Sequence, residues 1–359
     1  MKCGDESLGL GNRCQHKPRG AVCLQDWCVI LVNARASALG VLPGVSAQEA
    51  AQVAAGEFPD ALFLPILPKR GPGADPVGRT AALLSSVSSD FSTSVVPSGW
   101  QISRTPGVDM QRAKNFLRQD QDAMEEHAQD FAGLFTCSVV GPISWCASVE
   151  AASGEKLIRD RGAVSEVAHV LTEGLRGHIA SIARIFPRAE LAVVLEEPHA
   201  VAACSGAIRT ASGLNTYVNV DRARILGSWE PLIAMAGACG ASVGVSLADS
   251  DELFTQSLMV AGAKTFFPAG SSRFLGEQLE AHNAIYWQVK PGWSPRKNAR
   301  DIAQRITSLG FELSATTGSL VVVPTPASVS DSWVVARPAI TTVREVVDLL
   351  NDEDRLLGE

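Results

Sequence analysis

Two adjacent carboxylates at the end of an apolar run are the residues best placed for chemistry in this chain. Residues 191–195 are all apolar, and Glu196, Glu197 and Pro198 follow them. Such a run is typical of a strand buried on both faces. Pro198 ends the run because a proline has no amide proton to donate. Neighbouring side chains of a strand point to opposite faces, so at most one carboxylate can act at a given site. A strand end that simply meets solvent is the alternative.

Few other residues of the chain offer catalytic chemistry. His199 is the only imidazole next to a predicted strand end, where it could serve as a general acid or base. A lone histidine in a polar loop is more often structural. The sequence contains no G-x-G-x-x-G and no G-x-x-x-x-G-K-[ST] motif for phosphates, and no G-x-S-x-G nucleophile elbow.

Eight strand-like apolar runs, nearly all separated by helical patterns, organise the chain from residue 29 onward. They cover residues 29–32 with 34–40, 61–64, 134–140, 191–196, 241–247, 264–267, 285–289 and 320–323. This alternation predicts an α/β fold, a single-domain (β/α)8 TIM barrel over residues 29–359. A doubly wound open sheet is the alternative. In a barrel, the site residues would follow the carboxyl ends of the strands.

Local signals place several of the helices and one hairpin. Ser46 and Glu49 have the spacing of a capping box, and Asp221 is a predicted helix N-cap. Apolar residues recur at helical spacing from Met110 to Phe131. Residues 94–103 indicate a hairpin arm, and the last helix is predicted over residues 341–350.

Composition limits the class of protein. The chain has 359 residues, a net charge of −7, 46% hydrophobic and 19% charged residues, which is typical of a globular protein. The negative charge argues against nucleic acid as a partner, and no apolar run is long enough to cross a membrane. Four of the eight cysteines fall in predicted core elements, which fits a cytoplasmic protein. Residues 1–28 are predicted to be a poorly ordered extension, where a zinc knuckle is the less favoured alternative.

Six short segments together resemble the cobalamin-independent methionine synthase family, and in particular short actinobacterial-type proteins that contain only its catalytic barrel. These are residues 39–44 (LGVLPG), 71–75 (GPGAD), 78–80 (GRT), 97–100 (PSGW), 140–142 (VGP) and 195–198 (LEEP). The same superfamily includes uroporphyrinogen decarboxylases. The resemblance implies methyl transfer from a methylfolate, or from a corrinoid protein, to homocysteine bound as a zinc thiolate. Small-molecule ligands such as homocysteine, methionine or a folate are therefore expected.

The resemblance also implies a set of site residues. Glu196 occupies the position of the family's homocysteine-binding aspartate and is the predicted catalytic residue. The predicted substrate-binding residues are Leu39, Gly40, Val41, Arg79, Trp100, Gly141, Pro142, Trp145, Glu197 and His199.

The family's zinc positions fall near Ser246, Ala248 and Ser328, whose side chains bind zinc poorly. We therefore predict that no zinc or other cofactor is bound. Two functions stay open, an active methyltransferase and a non-catalytic or metal-free ligand-binding barrel. A metal-free lyase is a third possibility, for which Arg79 is the suggestive residue.

Overall fold

The computed structural model describes residues 33–105, 107–248, 251–267 and 272–358, and the backbone of two short strands, Ala21–Leu24 and Trp27–Ile30. These two strands pair antiparallel. The zinc-knuckle alternative, and most of the predicted extension over residues 1–28, lie outside the described residues.

A parallel sheet of eight strands forms the centre of the protein. The strands are β1 (Arg35–Ala36), β2 (Ala61–Phe63), β3 (Leu134–Val140), β4 (Glu190–Glu197), β5 (Ala241–Leu247), β6 (Thr265–Phe266), β7 (Ala284–Gln288) and β8 (Leu320–Val323). Their order is β1-β8-β7-β6-β5-β4-β3-β2, and every hydrogen-bonded pair in it is parallel. Each predicted run therefore contributes a strand, and the order has no central reversal of the doubly wound type. The first strand is shorter than predicted, and Val29 and Ile30 belong instead to the separate antiparallel pair.

The sheet is strongly curved. Thr136 of β3 and Tyr286 of β7 lie four strands apart in the sheet order, yet their hydroxyl oxygens are 2.6 Å apart. A flat sheet would separate these strands by about 19 Å, at roughly 4.8 Å per strand. The segments after the outer strands β1 and β2 also meet. Val41 and Ile66 form a parallel bridge, in which the Ile66 amide donates to the Gly40 carbonyl at 2.8 Å.

Helices connect the strands, as the alternating pattern predicts. They are α1 (Ala47–Glu57), α2 (Pro76–Val87), α3 (Val108–His127), α4 (Pro142–Ser148), α5 (Arg161–Ile185), α6 (Ala200–Ser205), α7 (Arg222–Ala238), α8 (Glu252–Val260), α9 (Ser272–Glu280), α10 (Pro295–Thr307), α11 (Leu313–Thr316), α12 (Pro326–Val329), α13 (Trp333–Leu350) and α14 (Glu353–Leu357). Short 3-10 turns are Pro68–Arg70, Ser89–Phe91, Leu157–Arg159 and Thr317–Ser319. None of the described helices combines the length and apolar character required to cross a membrane.

The local sequence signals predicted one helix start and the hairpin correctly and the start of another helix incorrectly. The Ser46 hydroxyl accepts the Glu49 amide at 3.2 Å, as the capping box predicts. The hairpin arm pairs Thr93–Val96 with Gly99–Ile102, and the latter strand also pairs with Val149–Glu150. The predicted start of the last helix at residue 341 is wrong, because α13 begins at Trp333 and continues through Pro338. Pro338 is the sixth residue of this helix, so it removes one backbone hydrogen bond from the second turn without ending the helix.

The sheet separates two apolar clusters. We call the inner face the side of the sheet that carries the smaller cluster. Its members pack against one another and are Leu39, Ala61, Leu134, Ala192, Val194, Tyr286, Val321 and Val323. Leu191, Val193 and Leu195 of β4 have the opposite parity and join the larger core between sheet and helices. Because strand side chains alternate, Glu196 shares the parity of the inner face and Glu197 that of the helix layer.

Close packing of α5 against α2 gives a test of the fold. A Cβ built on Gly174 would lie 2.7 Å from the carbonyl oxygen of Leu83, whereas one on Gly177 meets nothing within 4 Å. We expect Gly174→Ala to lower the free energy of unfolding by about 1–3 kcal/mol through overpacking. Gly177→Ala, one turn further along the same helix, should raise it by up to about 1 kcal/mol. Urea denaturation measures both, and equal effects would contradict this helix packing.

Candidate functional site

Glu196 lies at the carboxyl end of β4, where it pairs in register with Val140 of β3 and Ser246 of β5. Its side chain lines a small cavity at this end of the sheet, together with Leu39, Val41, Pro324, Pro326 and Val329. The cavity has a volume of about 30 Å³. That volume is about what one water molecule occupies in the liquid.

Tight backbone contacts shape this cavity. Gly40 has φ +105°, and a Cβ on it would lie 3.1 Å from the carbonyl oxygen of Leu64. A glycine therefore lets the segment after β1 approach the end of β2. The Ser138 hydroxyl of β3 donates to the Leu39 carbonyl at 2.8 Å and fixes the same segment from inside.

The carboxyl group of Glu196 is suited to proton exchange near neutral pH. Burial raises its pKa to about 7, while the positive charge of Arg79 and the Ser138 hydroxyl act in the opposite direction. A carboxyl with this pKa can both give and accept a proton under physiological conditions. When the Glu196 carboxyl group is ionised, it places a negative charge at the carboxyl end of the sheet, and this charge is only partly hydrated.

Glu197 points the other way, into the helix layer, and its side chain is fully buried. Its Oε1 accepts the Ile143 amide at 3.1 Å and the Trp229 indole Nε1–H at 2.8 Å, and its Oε2 accepts the Ser144 amide at 2.7 Å. Burial raises the pKa of Glu197 to about 7, and these donors oppose that rise. The glutamate therefore caps the N-terminus of α4 in place of Gly141, which has no side chain. This placement, out of contact with the cavity, favours a structural role over the predicted substrate-binding one.

The predicted residues around α4 surround Glu197 rather than the cavity. A Cβ on Gly141 would lie 2.3 Å from the Glu197 Oε1, so only glycine fits there. Pro142 occupies the first turn of α4, where its missing amide proton costs nothing. Trp145 is fully buried and donates its indole N–H to the Val77 carbonyl at 3.3 Å.

Arg79 lies in a buried ion cluster beside the end of β2. Its guanidinium donates to Asp120 at 2.7 Å and to the carbonyls of Leu64 and Pro65. Arg70 donates to both oxygens of the same Asp120, each at 2.7 Å. Arg79 thus fixes the segment after β2 and acts on Glu196 through its charge.

Trp100 and His199 stand apart from the cavity. The Trp100 indole N–H donates to Asp75, the N-cap of α2, at 3.1 Å. The His199 backbone amide donates to the Ser144 hydroxyl at 2.9 Å, and its half-buried ring has a pKa lowered by burial and by Lys156. Of the predicted site residues, Leu39, Val41 and Glu196 are therefore the ones that line the cavity, with Gly40 between them.

The residues at the family's zinc positions do not fit zinc. Ser246 lies beside Glu196, and the Ser328 hydroxyl of α12 donates to the Thr325 carbonyl at 2.7 Å. Hydroxyl groups and the methyl group of Ala248 are poor zinc ligands compared with thiolate or imidazole. Among the described residues, no group of three His, Cys, Asp or Glu side chains is arranged to hold a metal ion.

Sequence reasoning missed several residues of this region. Ser138 could have been found from the period of two in β3, where Thr136 and Ser138 are the polar positions of one face. Asp120 interrupts the apolar stripe of α3, which signals a buried partner. Pro324, Pro326 and Val329 carry no such signal.

Comparisons with known proteins support the fold. The chain is similar to a B12-independent methionine synthase from Shewanella sp. W3-18-1, whose structure was determined in complex with selenomethionine. The TM-score is 0.51 at 9% sequence identity, and the match covers 91% of this chain and 100% of the other. No family model and no curated protein matches the chain. The likeness therefore concerns the fold.

Replacing each of the two glutamates by glutamine should have different effects on stability. In Glu197→Gln the new NH₂ group faces backbone or indole N–H donors, so we expect a loss of about 1–3 kcal/mol in the free energy of unfolding. Glu196→Gln leaves no such donors unpaired. Because the folded-state pKa of Glu196 lies above its unfolded value, its stabilising contribution is complete below about pH 4.5 and is lost as the pH rises through about 7. Glu196→Gln should therefore reduce the loss of stability between pH 5 and pH 8.

Urea denaturation of both variants across this pH range provides the measurement. Glu166→Gln, an exposed change on α5, serves as the control. A Glu197→Gln variant as stable as the Glu166→Gln control would refute the capping role of Glu197.

Proposed function

We propose that this chain is a (β/α)8 barrel related at a distance to the cobalamin-independent methionine synthases, and that it binds an amino-acid ligand at the carboxyl ends of its strands. Methionine or homocysteine is the ligand class, and Glu196 is the carboxylate that receives the ligand's ammonium group. The observation that carries the proposal is the position of Glu196, on the inner face at the end of β4, in a cavity with Leu39 and Val41.

Three independent features support this assignment. The curved parallel sheet has the strand order of a barrel, and the segments beyond β1 and β2 meet at the Val41–Ile66 bridge. Barrel enzymes place their sites at this end of the strands. The structural relative was determined with selenomethionine, and the sequence around Glu196 resembles the same family.

The chemistry proposed for the site is recognition rather than zinc-dependent methyl transfer. The hydroxyls of Ser246 and Ser328 do not replace the soft donors that activate a thiol. Glu196 supplies a carboxylate that is about half ionised near pH 7 and almost fully ionised one pH unit higher. We do not propose a corrinoid protein as a partner, since neither the comparisons nor the described residues support one.

The cavity must widen for a ligand of this size. Its volume of about 30 Å³ is smaller than a methionine molecule needs, which is several times the roughly 30 Å³ that one water occupies in the liquid. Pro324, Pro326 and Val329 form one wall, so binding requires the short helix α12 to move away from Glu196.

Methionine binding should strengthen as the pH rises. An ammonium group binds the ionised carboxylate, and below a pKa of about 7 each pH unit reduces the ionised fraction roughly tenfold. We expect the Kd of methionine, measured by isothermal titration calorimetry, to be about tenfold higher at pH 6 than at pH 8.

The same titrations with homocysteine and methylfolates compare the ligand classes. Glu196→Gln should weaken methionine binding at pH 8 and abolish its pH dependence, whereas Glu166→Gln should change neither. Absence of methionine and homocysteine binding to the native protein at pH 8, or a Glu196→Gln variant that binds as the native protein does, refutes the proposal.

Metal analysis tests the donor set directly. We expect the purified protein, exposed to zinc and then passed through a desalting column, to retain far less than one zinc per chain. The triple variant Ser246→His, Ala248→Cys and Ser328→Cys, which returns three donors of the family type, is the positive comparison. One tightly held zinc per native chain would show that other side chains provide the ligands.

A further inference from the structure

Two buried arginines share one carboxylate between the end of β2 and α3. Arg70 and Arg79 each donate to Asp120, with nitrogen–oxygen distances of 2.7 Å. The side chains of Arg70, Arg79 and Asp120 are almost fully removed from solvent, with exposed fractions of 6%, 4% and 1%. The amino-acid site proposed above involves this cluster only through the charge of Arg79 on Glu196.

The cluster carries one positive charge more than Asp120 neutralises. The charge of Arg79 also acts on two other buried groups, Cys137 and His178. Burial raises the pKa of the Cys137 thiol to about 12 and lowers the pKa of the His178 imidazole to about 3. Both groups are therefore neutral at physiological pH, and neither changes the balance of two guanidinium groups against one carboxylate.

Glu196 does not supply the balancing charge. Burial raises its pKa to about 7 against the charge of Arg79, so only about half of this carboxyl group is ionised near neutral pH. In the described part of the chain, Arg70 contacts the Phe116 ring besides Asp120, with its guanidinium carbon 4.6 Å from the ring centroid. The face of an aromatic ring attracts a cation but carries no net charge.

Arg70 also has hydrogen-bond donors without an acceptor. Its Nε and Nη1 atoms are buried, and no acceptor among the described residues reaches them. A buried donor of this kind has lost its hydration with no compensating hydrogen bond, so native proteins pair such groups with protein, water or an ion. An anion is the better partner here, because water satisfies the N–H group but leaves the excess charge uncompensated.

The surroundings of Arg70 favour a small anion. The segment that follows Arg70 packs closely on α3, since Gly73 has φ +95° and a Cβ on it would lie 2.9 Å from the Ala113 backbone nitrogen. A monatomic halide is smaller than a carboxylate or phosphate group and needs no orientation of its own. Chloride is therefore the anion that suits this cluster.

We propose that this cluster is a buried halide site, in which chloride lies against an unpaired N–H group of Arg70 and balances the second guanidinium. The anion holds the segment after β2 on α3 and stabilises the folded chain. The proposal does not depend on amino-acid binding at Glu196, so each of the two can fail alone.

Thermal unfolding of the full chain in sodium chloride and in sodium gluconate, at equal ionic strength, tests this proposal. The two salts screen surface charges alike, but gluconate is too large for a buried site. Because a ligand that binds only the folded chain raises Tm, we expect a rise of about 2 °C once chloride exceeds its Kd about tenfold. The native protein should also broaden the chloride NMR signal, and bromide should reverse this broadening by competition. Equal Tm values in the two salts would show that water suffices at Arg70 and would overturn the proposal.

Variants at Arg70 locate the anion. Arg70→Met removes one guanidinium and leaves Arg79 and Asp120 as a one-to-one pair, so we expect it to fold and to have the same Tm in both salts. Arg70→Lys keeps the charge but loses Nε and Nη1, and should need at least tenfold more chloride for the same rise in Tm. Arg118→Met, an exposed change on α3, should keep the native response to chloride. A folded Arg70→Met variant that responds to chloride as the native protein does would place the anion elsewhere and refute the site.

Discussion

The buried carboxylate of Glu197 joins three elements that are distant in sequence. It belongs to β4, accepts two backbone amides at the start of α4, and accepts the indole N–H of Trp229 from α7. A carboxylate inside the helix layer is costly to desolvate, and only a full set of donors offsets that cost. The contact of Gly141 with Glu197 follows from it, since α4 must begin close enough for its amides to reach the carboxylate. The fixed position of α4 in turn places Trp145 and the Ser144 hydroxyl, which accepts the His199 amide.

This structural role of one glutamate determines the position of the other. Because β4 alternates its side chains, anchoring Glu197 among the helices directs Glu196 to the inner face at the end of the strand. Burial raises the pKa of both groups to about 7, but the consequences differ. Glu197 is surrounded by donors and has no route to a ligand. Glu196 lines a cavity, with Ser138 and the charge of Arg79 as its polar influences. Burial disfavours the charged form of both groups, but at Glu196 no set of fixed donors occupies the carboxylate, which leaves it available for binding.

The strands could be predicted from the sequence because each is a short apolar run, and the runs at residues 134–140 and 241–247 match β3 and β5. The parity of β4 could not be predicted. A shift of one residue in register would exchange the two glutamates, and that register depends on contacts with β3 and β5. The partners Trp229 and Asp120 were missed for a similar reason, since they lie 32 and 41 residues from Glu197 and Arg79. The family resemblance drew attention to Gly141, Pro142 and Trp145 and predicted that they contact substrate. In the structure these residues pack around Glu197 and α4.

The positions that the family resemblance would assign to zinc lie outside the packed interior. Ser246 lies at the end of β5 and Ser328 in the short helix α12, beyond the apolar layers that the strands bury. Neither side chain belongs to the apolar clusters, so the packing of the sheet does not depend on whether these positions carry zinc ligands. The structural match at 9% identity agrees with this, because a similar fold does not fix the side chains at the strand ends. The carboxyl group of Glu196 differs from those positions, since its pKa depends on the buried environment at the end of the sheet. It is the part of the site that the fold itself helps to define, and for that reason we place ligand recognition there.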